Sequence, residues 1–140
     1  MHIATNKSWK NYQIDNPKQI DIDLHFTNKQ FLKLTQGLVP QEMEDKWFIY
    51  FENDWLYFHR SWTGSAIYKA QLHKENNGYY INEFWAERNR DKHNNDDDNA
   101  DIETFSFLIA KGLLGIDVSS KLHTEDNILK KWSDFGNMVF

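Results

Sequence analysis

The chain has 140 residues, 40% of them apolar and 26% charged, which fits one globular domain and excludes a disordered chain. Its formal charge of −5 excludes the broad basic footprint of a duplex nucleic-acid binder but leaves room for a local cationic pocket. With 0 Cys there is no disulfide, no thiolate nucleophile and no Cys-based zinc site. Met1 to Lys10 lacks the apolar core of a secretory signal, and no window reaches the length of a membrane span. A cytoplasmic domain with no membrane contact and no resident cofactor is the expectation.

In chain order, Trp9, Tyr12 and Ile14 offer anchors for an irregular arm, and Ile20 to Leu24 alternates like a short strand. Thr27 and Gln30 have capping-box spacing, with Phe26 and Phe31 at the staple positions; a helix over Asn28 to Gln36, stopped by Gly37, follows. Trp47 to Glu52 and Trp55 to Arg60 are aromatic runs separated by Asn53-Asp54, which suits a two-residue hairpin. That turn sets Phe51 opposite Leu56, Ile49 opposite Phe58 and Trp47 opposite Arg60. Thr63-Gly64 and Asn76-Asn77-Gly78 supply further turns into strands at Ala66 to His73 and Tyr79 to Glu87.

Residues 88–99 are polar throughout and predict a mobile loop that adds little to the core. Ile102, Phe105, Leu108, Ile109 and Leu113 then recur at helical spacing over 102–114, with Asp101 as the N-cap and Gly115 as the stop. A last helix is expected over 125–132. The fold so predicted is one α+β domain over 1–140, a four-stranded antiparallel meander packed with about three helices.

The segment Phe58 to Gly64 is the richest in chemistry. Arg60 can fork onto a phosphate, Trp62 can stack on a base, and Gly64 lets the backbone approach a ligand. His59, Ser61 and Thr63 add hydrogen-bonding groups. Such turns are also commonly structural, with Arg60 lying across Trp47 and the two hydroxyls serving only the turn. Glu42, Glu44 and Asp45 precede the first strand of the hairpin; they either bind ribose hydroxyls, a metal or a catalytic water, or make weak local pairs in solvent. Glu83 is either an acid or base on an aromatic face or a solvent-facing carboxylate. Asp96-Asp97-Asp98 lacks the Gly and Glu of a calcium loop, and the 6 His lack metal-ligand spacing, so no metal is expected. The chain also lacks a phosphate-binding loop, a dinucleotide fingerprint and a nucleophile elbow.

The stretches Glu44-Asp-Lys-Trp-Phe-Ile-Tyr50, Leu56-Tyr-Phe-His-Arg-Ser-Trp-Thr-Gly64 and Ile67-Tyr68 resemble a little-described module of bacterial proteins linked with ADP-ribose chemistry, found beside ADP-ribosylglycohydrolase or macro-type domains. The likeness spans residues 42–70. It implies a connection with ADP-ribose-like nucleotides, and by analogy with signal-sequestering phage proteins it implies an anti-defence role, capture of a nucleotide immune signal.

Three readings compete. The first is non-enzymatic binding of a nucleotide or ADP-ribose-type ligand. Trp62, Trp47 or Tyr50 would stack, Arg60 would hold phosphate, and His59, Ser61 and Thr63 would add hydrogen bonds, with Glu44 or Asp45 on a ribose. The second is a small hydrolase of such ligands, with Glu42, Glu44 or Glu83 as base and His59 assisting. The third is an inhibitor or immunity protein whose aromatics form a protein interface. A homo-oligomer is compatible with all three.

Overall fold

The computed structural model describes residues 3–42 and 44–116. The elements in chain order are β1 (Pro17–Thr27), α1 (Asn28–Gln36), β2 (Trp47–Glu52), β3 (Trp55–Arg60), β4 (Ala66–Gln71), β5 (His73–Glu75), β6 (Gly78–Glu87) and α2 (Asp98–Phe107). A π-helical segment, Leu108–Leu113, continues α2. The sheet is six-stranded in the order β1-β6-β4-β3-β2, with β5 also on β6, and every strand pairing is antiparallel.

This corrects the expected four-stranded meander with three helices. The predicted strands are present, but the third, expected over Ala66 to His73, is split at Leu72, whose N–H turns aside to donate to Asp54 O at 2.8 Å. The N-terminal segment contributes a further strand of 11 residues on the β6 edge, running from Pro17↔Glu87 to Thr27↔Gly78 with a bulge between Asp21 and Leu24. Its alternation was visible over Ile20 to Leu24, but its pairing partner lies some 60 residues away and leaves no local mark. Among the described residues the helices are α1 and the α2–π run; the helix expected over 125–132 lies outside them.

The hairpin register is the one expected, Trp47↔Arg60, Ile49↔Phe58 and Phe51↔Leu56. Asn53 and Asp54 both take positive φ, 52° and 71°, which is what a two-residue turn matched to strand twist demands. One sheet face carries Ile49, Leu56, Phe58, Tyr68, Phe84, Ile20, Ile22 and Leu24 into the core. The helices cover this face through Leu34, Phe105, Ile109 and Leu113. Phe84 and Phe105 stack at 4.2 Å across the layer.

α1 is capped as its sequence indicates: Gln30 N donates to Thr27 Oγ1 (3.1 Å) and Thr27 N to Gln30 Oε1 (2.9 Å). Gly37 ends it at φ +67°, where an added Cβ would fall 2.3 Å from Ile49 O. α2 starts four residues earlier than its apolar spacing suggested, because Asp97, not Asp101, accepts from Asn99 N and Ala100 N. Asp101 is buried inside the first turn and pairs with Arg88 at 2.7 Å.

Candidate functional site

The β3–β4 turn is held from four directions. Gly64 N donates to Arg60 O (2.8 Å) and Arg60 N to Ser65 O (3.0 Å), closing a tight loop that Gly64 enters at φ +77°. Ser61 is buried, and its Oγ donates to Asp45 O at 2.7 Å. Trp9 Nε1 donates to Ser61 O at 2.7 Å, and Thr63 Oγ1 accepts from Ser65 N at 3.1 Å. Ser61 and Thr63 thus serve the turn. Between them Trp62 is turned outward and left 69% exposed, against the usual burial of so large an apolar surface.

Trp62 is the shared wall of two clefts. One, of about 720 Å³, is lined by Trp9, Lys10, Pro40, Glu42, Ser61 and Trp62. The other, of about 320 Å³, is lined by Arg60, Trp62, Thr63, Lys92, His93 and Asn94. Arg60 lies over Trp47 with its guanidinium carbon 5.0 Å from the ring centroid, as the structural reading held. A cation–π contact uses the flat face of the guanidinium and leaves its N–H edge for a planar acceptor. No carboxylate among the described residues pairs with Arg60.

Lys92 and His93 come from the polar loop, and that loop is anchored, contrary to expectation. Arg88 pairs with Asp98 (2.8 Å) and Asp101 (2.7 Å), and Asn95 Nδ2 donates to Asp101 Oδ1 (3.1 Å). His93 Nε2 lies 2.9 Å from Asp101 Oδ1, which also accepts from Tyr68 OH at 2.6 Å. Burial would push the Asp101 carboxyl up, but the hydrogen bonds from His93, Tyr68 and Arg88 prevail and hold it below the usual carboxylate range. Lys92 Nζ sits 3.2 Å from Asp15.

The remaining sequence candidates do not join this cleft. Trp47 belongs to the core face, stacked on Tyr68 at 5.9 Å beneath Arg60. His59 and Tyr50 stand on the opposite sheet face, their rings 5.7 Å apart. Asp45 accepts from Gln41 N and Glu42 N and so caps the loop before β2, in which Glu44 is exposed. Glu83 takes the Gln19 amide at 2.6 Å, also on the far face. The carboxylates considered as bases therefore do not converge with His59.

Lys92 and His93 were missed because a polar, charge-mixed run is the usual mark of solvated loop, and nothing in its spacing points across the fold to Arg60. Among the described residues, no group of three or more His, Asp or Glu is placed to hold a metal ion, and no helix is long and apolar enough to cross a membrane. Comparison of the chain with known protein families, with curated proteins and with solved structures finds no match.

Proposed function

We propose that the chain is a binding protein for a nucleotide or ADP-ribose-type ligand, with the base on Trp62 and phosphate between Arg60 and Lys92. The observation that carries this reading is the outward indole of Trp62 set between an aromatic cleft and a cationic one. A base has an apolar face and charged phosphates a short distance away, which is the same division. Trp9 offers the larger cleft a second ring, and His93 and Thr63 add hydrogen-bonding groups to the smaller.

Calorimetric titration with ADP-ribose tests it. Arg60→Ala should weaken binding by roughly 1.5–3 kcal/mol, about ten- to a hundred-fold, as a charge-assisted phosphate contact is lost. Trp62→Ala should cost about 1–3 kcal/mol through lost stacking. If both folded variants bind as tightly as the parent, or the parent binds no nucleotide, the reading fails.

One observation favours a second reading, that the ligand is hydrolysed. His93 lines the cationic cleft and is oriented by buried Asp101, the arrangement that sets an imidazole for proton transfer. Product formation from ADP-ribose that disappears in His93→Gln would convert the binding protein into an enzyme.

A further inference from the structure

His59 is 2% exposed and packs against the rings of Phe48 and Tyr50, on the sheet face away from the helices. Its Nδ1 lies 3.0 Å from Gly64 O. A carbonyl only accepts, so Nδ1 carries the proton and Nε2 presents a lone pair. Nε2 is buried and has no hydrogen-bond partner among the described residues. Burial holds the imidazole below its ordinary pKa of 6.5 and so keeps that lone pair at neutral pH.

Stability does not ask for this imidazole. Gly64 O also accepts from Tyr12 N at 2.8 Å, so an aliphatic side chain at position 59 would leave the carbonyl satisfied and remove an orphaned acceptor. His59 lines a cavity of about 400 Å³ together with Tyr50, Tyr57, Glu52, Lys69 and Gln13. Neither tyrosine hydroxyl hydrogen-bonds to another described residue. Burial pushes Tyr50 up to about 12 and raises Tyr57, so both stay protonated and can donate or accept.

We propose that this cavity binds a neutral polyhydroxylated ligand, a sugar unit, which donates a hydroxyl to His59 Nε2 and lays its ring on Tyr57. The charges at the cavity argue for neutrality. The Lys69 ammonium sits over Trp55 (5.5 Å) and Trp85 (6.0 Å), while Glu52 takes the Asn6 amide at 3.2 Å, so an anion would meet Glu52 and a cation Lys69. Aromatic faces beside hydroxyls and amides match the two-sided surface of a sugar ring. The rings also continue outward, Tyr57 to Trp55 (6.5 Å) to Trp85 (5.4 Å), along the direction a longer glycan would take. Nε2 is closed to solvent, so the cavity lining must yield before a hydroxyl reaches it. This site shares no residue with the Trp62 clefts.

The test is a titration of the full chain, carrying ¹⁵N-labelled histidine, with D-glucose and D-ribose and, as charged counterparts, glucose 6-phosphate and glucosamine. The expected result is a saturable shift of the His59 Nε2 resonance with a neutral sugar. His59→Leu should melt higher than the parent and bind the sugar about tenfold more weakly. Tyr57→Phe, which keeps the fold and the ring, should weaken it a few-fold. Trp62→Ala should leave sugar binding intact, separating this site from the nucleotide site. Absence of a saturable shift with both neutral sugars overturns the proposal, as does saturation by the charged sugars alone. Unchanged affinity in both His59→Leu and Tyr57→Phe overturns it as well.

Discussion

Two histidines give this protein opposed responses to pH. His25 lies between Glu75 (2.9 Å) and Asp23 (2.7 Å), and the hydrogen bond to Glu75, aided by Asp23 and opposed by burial, raises its pKa above 6.5. Its stabilising effect is complete below the unfolded value and is lost as pH rises through the folded one. Buried His59 is the reverse: its folded pKa lies below 6.5, so its contribution is present above that value and is lost as pH falls. Urea unfolding between about pH 7.5 and 5.5 should therefore show a flatter acid side in His59→Leu. His25→Asn should lack the alkaline loss. Unaltered pH slopes in both would show that neither imidazole is linked to folding. The carboxylates act lower. Asp98, held down by Lys18 and Arg88, and Asp101, held down against its burial, release their stabilisation only below the ordinary carboxylate pKa.

At the scale of elements, the polar loop is the part most misjudged by composition. Its residues do not bury apolar surface, yet Asp97 caps α2 and Asn95 and His93 satisfy Asp101. Deleting Asn94 to Asp97 removes a cap worth about 1 kcal/mol and disturbs donors to a buried carboxylate worth about 1–3 kcal/mol each. A thermal melt should show a loss of several degrees, and an unshifted midpoint would mean that the loop holds nothing. The elements legible in sequence were those specified by near neighbours: α1 by Thr27 and Gln30, the β2–β3 hairpin by its alternation and Asn53-Asp54. The elements that escaped, β1 against β6 and the break at Leu72, depend on groups remote in sequence. The site divides along the same line. Arg60, Trp62 and Thr63 lie within one short turn and were readable as a group, whereas His93 is held at the cleft by Asp101 and Lys92 by Asp15. The alternation that fixed the hairpin faces also places His59 and Tyr50 opposite Arg60, which was implicit in the register but outweighed by their closeness in sequence.

For the molecule as a whole, one buried carboxylate links the N-terminal arm to the polar loop. Glu87, fully buried at the end of β6, accepts from Asp15 N (2.7 Å), Asn16 N (2.8 Å) and Asn89 N (3.0 Å). Arg88 N donates to Asn16 O (2.9 Å), and Asn89 Nδ2 to Asp15 Oδ2 (2.9 Å), so arm and loop leave the sheet clasped together. The arm supplies Trp9 and Lys10 to the larger Trp62 cleft and Gln13 to the His59 cavity; the loop supplies Lys92 and His93 to the cationic cleft. Each site thus borrows a wall from a segment that Glu87 ties down. Glu87→Gln keeps the volume but offers one accepting oxygen and turns an amide against backbone N–H groups, at a cost on the order of 2–3 kcal/mol. The loss should be local, because β3 and β4 pack without it. Hydrogen exchange should show the amides of Asp15, Asn16 and Asn89 opening together and much faster than in the parent, with β3 and β4 protected nearly as before. Sugar titration and ADP-ribose titration should then both weaken, through one substitution that touches neither ligand. Uniformly faster exchange across the sheet would make Glu87 a plain stability residue, and weakening of one titration alone would break the link between the two sites.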